Sequence, residues 1–127
     1  MTDRATAQDW LRRYEVAWES NDEADIRALF TDDAVYNYHP YEPEPAVGIE
    51  AIVASWLENR DEPGDFEFEG RVLAVDGEVA IAQCVTTYGT ANPPTTYDNL
   101  WVIRLTDDGR AREFTEWYIA RPTDDAA

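Results

Sequence analysis

Apolar residues recur at helical spacing in three places along the chain. Trp10, Leu11, Tyr14, Ala17 and Trp18 fall on one stripe and predict a first helix from about Thr6 to Ser20. Thr6 followed by Asp9 resembles a capping box, with Asp replacing the usual Glu. The run Ser20-Asn21-Asp22 breaks this helix, and Asn21 or Asp22 can cap a short second one, EADIRALF, with Ile26, Leu29 and Phe30 inward. After Gly48, residues Ile49, Ile52, Val53, Trp56 and Leu57 sit at i, i+3, i+4, i+7 and i+8, the clearest helical signal present. DEPGD (61–65) ends that third helix.

The pattern then switches to alternation. TDDAVYNY (31–38) predicts a short strand, and the segment from Pro40 to Pro45 predicts a loop because each proline removes a backbone donor. Long strands are predicted over Phe66–Val75, Glu78–Tyr88, Thr96–Leu105 and Ala111–Ala120. Asp76-Gly77 reads as a two-residue hairpin, a loop containing Pro93-Pro94 joins the middle pair, and TDDGR (106–110) makes the last turn. Gly70 inside its strand suggests a bulge or bend. The ends, MTDRA and TDDAA, are expected to fray. Helices segregated from a meandering antiparallel sheet define an α+β class, and strands this long suit a curved sheet wrapped over three helices.

Alternation also sorts the side chains. Phe114, Glu116, Tyr118 and Ala120 share one face of the last strand; Thr115, Trp117 and Ile119 share the other. Tyr97, Asn99, Trp101 and Ile103 oppose Asp98, Leu100, Val102 and Arg104. Both faces are partly apolar, whereas an antiparallel sheet with one wet face should alternate cleanly. Either a second subunit covers one face, making a homodimer packed through the sheet, which is the favoured reading, or the sheet encloses more than the helices touch.

With 127 residues the chain fits a single domain, residues 1–127 with a core from about 6 to 122. No apolar run approaches bilayer length and the N-terminus lacks the pattern of a secretory signal. The single cysteine, Cys84, cannot form an internal disulfide, which points to a cytoplasmic location. A net charge of −17, with ten arginines and no lysine, argues against nucleic acid and membrane as partners.

The candidate chemistry gathers around a few residues. Glu116 lies between Phe114 and Tyr118 on an inward face, where desolvation raises a carboxylate pKa and makes it a candidate general base. The alternative is an edge glutamate paired with an arginine. Asn99 and Trp101 share a face and carry hydrogen-bond donors. Tyr14, Trp18 and Trp56 bring polar tips to buried helical stripes. Such a lining describes a site for a small apolar organic molecule. His39, the only histidine, stands among Tyr36, Tyr38 and Tyr41 in DDAVYNYHPYEP; it is either a pocket group or part of a surface turn. Cys84 reads as a small buried hydrophobe. No cluster at metal spacing and no cofactor motif is present, so neither metal nor cofactor is expected.

The phrases YEVAWESNDEADIRALFTDDAVY, P…GIEAIVASW and YDNLWVIRLTDDGRAREFTEWY, in that order, resemble the SnoaL-like branch of the nuclear transport factor 2-like superfamily, from about Trp10 to Pro122. The resemblance implies a cone-shaped, cystatin-like α+β barrel with a pocket at its open end and dimers packed through the sheet. It implies chemistry of the kind found in polyketide cyclases, ketosteroid isomerases or epoxide hydrolases, or ligand binding alone. On it, His39 in Tyr38-His39-Pro40 falls near the isomerases' basic residue, Glu116 in EFTEWY matches the cyclases' late-strand carboxylate, and Tyr14 matches an oxyanion-stabilising tyrosine. The isomerases' second oxyanion acid has no counterpart in NLWVI (99–103). The catalytic candidates are therefore Glu116, His39 and Tyr14, and the ligand-binding ones Trp18, Tyr36, Trp56, Asn99, Trp101 and Tyr118. Three functions stay open: an acid/base enzyme of cyclase, isomerase or hydrolase type acting on a carbonyl compound, a non-catalytic ligand binder, or an accessory dimer whose cavity is filled by Trp18, Trp56 and Trp101.

Overall fold

The computed structural model describes residues 2–62, 64–89 and 94–122. Three helices, α1 (Arg4–Ser20), α2 (Glu23–Arg27) and α3 (Ile49–Glu58), pack against strands β1 (Phe30–Asn37), β2 (Ala46–Val47), β3 (Glu67–Asp76), β4 (Val79–Tyr88), β5 (Thr95–Leu105) and β6 (Ala111–Ala120). The strands form one curved sheet in the order β2-β1-β6-β5-β4-β3. The α+β architecture is as expected, but the sheet is not closed into a barrel: β2 and β3 are its edges. Nor is it wholly antiparallel, because β1 runs parallel to β6.

The local chemistry explains the boundaries. α1 starts before Thr6, since Asp3 rather than Thr6 is its cap and accepts from the Thr6 amide at 2.8 Å. Thr2 is buried and its amide donates to the Gly77 carbonyl at 2.9 Å, so the described part of this end, from Thr2, is tied to the sheet; Met1 and the other expected frayed end, 123–127, lie outside the described residues. Asn21 closes α1 in the left-handed region at φ 52°, and Asp22 caps α2 by accepting from Ala24 and Asp25. α2 ends at Arg27, short of the EADIRALF expectation, because Phe30 already pairs in β1. The proline-rich loop leads into β2, which pairs with β1 through Val35–Val47 and Tyr36–Ala46. The first hairpin turns on Gly77-Glu78, one residue later than Asp76-Gly77, and Gly77 takes φ 62°. The β5–β6 turn uses Gly109 at φ 80°, as expected for TDDGR. Of the Pro93-Pro94 loop, Pro93 lies outside the described residues.

The bulge expected at Gly70 falls elsewhere, between Val72 and Ala74; Gly70 itself stays in register with Cys84. Its lack of a side chain serves packing. A Cβ there would lie 2.9 Å from Phe68 Cζ, 3.0 Å from Cys84 Sγ and 3.2 Å from Leu11 Cδ2. This is where α1 lies on the sheet. Ala7, Trp10, Leu11, Tyr14 and Ala17 are buried on that helix, against Ala80, Ala82, Cys84, Trp101, Ile103 and Phe114 of the strands. Trp10 is fully buried and its indole donates to the Leu29 carbonyl at 2.9 Å, so its one polar side-chain atom is satisfied.

Candidate active site

Strand register decides what the inner face presents. Across β5 and β6, Ile103 faces Phe114, Trp101 faces Glu116 and Asn99 faces Tyr118. The only shift in that pairing lies between Arg104 and Leu105, beyond the site, so alternation carries Glu116 inward as expected. One end of this inner face, together with α1, α3 and the end of β1, encloses a cavity of about 760 Å³. That volume suits a small organic ligand.

Glu116 lines the cavity beside Trp101 and Asn99. Its Oε2 accepts from Trp101 Nε1 at 2.6 Å and from Asn99 Nδ2 at 3.3 Å. Asn99 is in turn held by Thr86, whose hydroxyl donates to Oδ1 at 3.0 Å. No arginine pairs with Glu116 among the described residues, so the edge ion pair is not what the fold builds. Burial drives its pKa up to about 7, against the pull of the Asn99 and Trp101 bonds, which favour the charged form. Both its protonated and its ionised forms are therefore within reach near neutral pH. Oε1 accepts no hydrogen bond among the described residues and is the oxygen left for a ligand.

Tyr14 and Tyr36 share a hydrogen bond between their hydroxyls, 2.8 Å long, in the same wall. Burial raises both phenols, and the Glu116 carboxylate pushes each further up. Both remain protonated at neutral pH, so the pair always has one O–H to offer. Tyr14 is wedged between Trp101, centroid 4.6 Å away, and Trp56 at 5.0 Å, which leaves its ring no freedom. Trp18, Trp56 and Tyr118 also line the cavity. Trp18, Trp56 and Trp101, which the accessory-dimer reading would have plugging the cavity, form part of its wall.

Two placements differ from expectation. His39 does not line the cavity. Tyr36 and Tyr38 do, while His39 lies in the bend that follows the end of β1 at Asn37. Its ring packs on Tyr41 at 4.2 Å and its Nε2 lies 3.3 Å from Glu42 Oε2, an ion pair when the ring is protonated. Asn99 and Trp101 do face inward, but the single N–H of the Trp101 indole is taken by Glu116, while Asn99 gives Glu116 one side-chain N–H and keeps a second. Residues missed in the sequence complete the wall: Tyr38, hydrogen-bonded to Ser55, and Tyr88, Tyr97, Arg60 and Asp61. Asp61 Oδ2 accepts from Trp18 Nε1 at 3.1 Å and from the Tyr88 hydroxyl at 3.2 Å. Among the described residues no group of three or more His, Cys, Asp or Glu could hold a metal ion, and no helix is long and apolar enough to cross a membrane.

A curved sheet with a one-ended cavity over three helices defines a class shared by many chains. Residues 11–114 match the SnoaL-like domain, and the chain belongs to that family. Its solved neighbours are nuclear transport factor 2-like. An NTF-2 like protein of unknown function from Burkholderia xenovorans LB400 superposes with a TM-score of 0.71 at 18% identity, covering 94% of this chain and 87% of that one. A candidate ketosteroid isomerase from Kribbella flavida DSM 17836 gives 0.72 at 22%, covering 97% and 84%. An LEH-like epoxide hydrolase of M. tuberculosis gives 0.68 at 16%, covering 93% and 86%. At these identities the likeness shows the fold alone. No curated protein matches the sequence.

Proposed function

We propose that this single-domain chain is an acid/base enzyme of isomerase or cyclase type, acting on a small apolar carbonyl compound. The observation that carries this reading is Glu116, a carboxylate with pKa about 7 held by two neutral donors inside an aromatic cavity. A base poised near ambient pH has the best compromise between being ionised and being strong enough to take a proton.

Ionised Glu116 removes a proton from the carbon beside the carbonyl, through the free Oε1. The C–H electron pair moves into the enolate, whose oxygen accepts a hydrogen bond from the Tyr14–Tyr36 pair. Those hydroxyls are fixed before the reaction, so no reorganisation is needed as charge develops. Neutral Glu116 then returns the proton, either to another carbon, which isomerises the compound, or to the alkoxide formed when the enolate carbon attacks a second carbonyl. Trp101 and Asn99 hold the carboxylate in place rather than the enolate. The LEH-like and isomerase-like neighbours favour chemistry of this kind.

The outer face of the sheet supports the homodimer. Trp117 and Ile119 are 50% and 75% exposed, beside Leu100 and Val102 on the neighbouring strand. A patch of this kind on a soluble chain marks an interaction surface. A single buried thiol fits a reducing cytoplasm.

The test is deuterium exchange at the carbons beside the carbonyl of 2-tetralone in deuterated buffer. Exchange above the buffer rate, falling by at least about 100-fold in Glu116→Gln, is expected. Exchange no faster than in buffer across a panel of cyclic ketones, or unaffected by that substitution, leaves a ligand binder.

A further inference from the structure

The mouth of the cavity carries an arrangement that the acid/base chemistry does not use. Strand register places Tyr88 opposite Thr95 and Tyr118 opposite Asn99, toward the open end from the Trp101–Glu116 pair. There Tyr88 packs edge-on against Tyr97, with centroids 6.0 Å apart, and Tyr97 edge-on against Tyr118 at 5.8 Å. Trp18 stacks on Phe66 at 4.0 Å, which fixes the plane it presents. Asp61 is set among these rings. Two anchors hold it: its Oδ2 takes the Trp18 and Tyr88 donors, and its backbone carbonyl accepts from Asn21 Nδ2 at 2.8 Å. Asn21 is itself gripped by the Trp56 indole at 3.2 Å. Both side-chain donors to Asp61 are neutral, so its charge is positioned and not cancelled. Oδ1 accepts nothing among the described residues.

The remaining charge on the wall points the same way. Arg60 is the one cation among the lining residues, and it is turned toward Glu62, with Nε 3.6 Å from Oε1. An anionic ligand would meet Asp61 and Glu116 with little to offset them. A cation would meet a fixed carboxylate and the negative faces of indole and phenol rings, which attract ammonium groups. The net charge of −17 adds a field that draws cations to the opening.

We infer that the mouth of the cavity is a subsite for a cationic nitrogen, so that the ligand is an amine or quaternary ammonium compound with an apolar body. Asp61 is the counter-ion, and Trp18, Tyr88 and Tyr97 are the rings around the nitrogen. This rests on the cavity being the ligand site, as proposed above, and adds the substrate class. The carbonyl end of the ligand reaches Glu116 while the charged end stays at the mouth.

The test compares phenyltrimethylammonium with its uncharged isostere tert-butylbenzene, read by quenching of the tryptophan fluorescence that Trp18 and Trp56 contribute. The cation should bind about tenfold or more tighter than the isostere. In Asp61→Asn, which keeps an acceptor for Trp18 and Tyr88, that preference should shrink by about threefold to tenfold, with the isostere's affinity unchanged. Should that variant not fold, raising salt from about 0.05 M to about 0.5 M over the wild-type chain should weaken the cation alone. Equal binding of the two probes, tighter binding of the isostere, no binding of either, or a preference indifferent to both Asp61 and salt overturns the inference. Because the readout is binding, it separates from the catalytic reading. Loss of cation preference with ketone exchange intact removes only the subsite; preference intact with no exchange removes only the base.

Discussion

Replacing Trp101 with Phe isolates what holds the proposed base. The indole donates to Glu116 Oε2 at 2.6 Å, and the only other donor to that oxygen, Asn99, is at 3.3 Å. Phe keeps a ring between Tyr14 and Phe68 but removes the N–H. A hydrogen bond to a charged group contributes about 1.5–3 kcal/mol. Losing it disfavours only the ionised form, so the pKa of Glu116 should move up from about 7 by about one to two units. At pH 7 the ionised fraction would fall from about half to about 1–10%, and base-dependent exchange would fall roughly fivefold to fiftyfold, recovering as pH is raised. Two profiles read this: ketone exchange against pH, and stability to denaturant against pH. The smaller ring also costs about 1–2 kcal/mol of packing, but that loss is independent of pH and leaves the midpoint where it is. A midpoint that stays put or falls would falsify the assignment, because Trp101 would then be packing alone.

Other outcomes follow from the same coordinates. A folded pKa of about 7 against an ordinary value of 4.5 means that the native state binds more protons between those pH values, so stability declines as pH rises through that window. Glu116→Gln should therefore gain about 2–3 kcal/mol over the wild type at pH 8 and almost nothing at pH 4; denaturant melts at the two pH values check it, and an equal effect at both sinks it. Gly70→Ala should destabilise by about 1–3 kcal/mol, since Phe68, Cys84 and Leu11 all crowd the new methyl; an unchanged melting temperature would show that these side chains yield freely. Trp117→Asp on the outer face should turn a dimer into a monomer in sedimentation while leaving ketone exchange in place; a wild-type chain that is already monomeric contradicts the dimer.

The inward set on β5 and β6 was legible because a strand has a period of two and because no bulge interrupts these strands beside the site. Glu116, Trp101, Asn99 and Tyr118 all follow from counting alternate residues. Counting does not reach His39, because β1 ends at Asn37 and the bend beyond it sets where the ring goes; the rarity of the residue and a family resemblance drew it into the candidate set. Asp61 was not legible. It sits in a run that reads as a helix stop, and its meaning comes from Trp18 and Tyr88, 43 and 27 residues away in sequence. The parallel pairing of β1 with β6 was hidden for the same reason: hydrophobic alternation says that a strand is half-buried, not which strand lies beside it. Gly70 was correctly marked as special but for the wrong cause, since a glycine at a close approach of a helix and one at a bulge look alike in one dimension.

The β1–β6 pairing bears on how the chain acquires its shape. Asn37 and Thr115 bond across 78 residues of sequence. During folding β1 must wait, with one edge unsatisfied, until the last strand arrives between it and β5. Closing so long a loop is slow, and contacts of this range lower folding rates. Because Glu116 and Tyr118 ride on β6, the proposed base and part of the aromatic wall join the cavity only when that strand docks. A chain in which β6 has not yet docked leaves β1 and β5 with bare edges, and should be the species most in need of a chaperone.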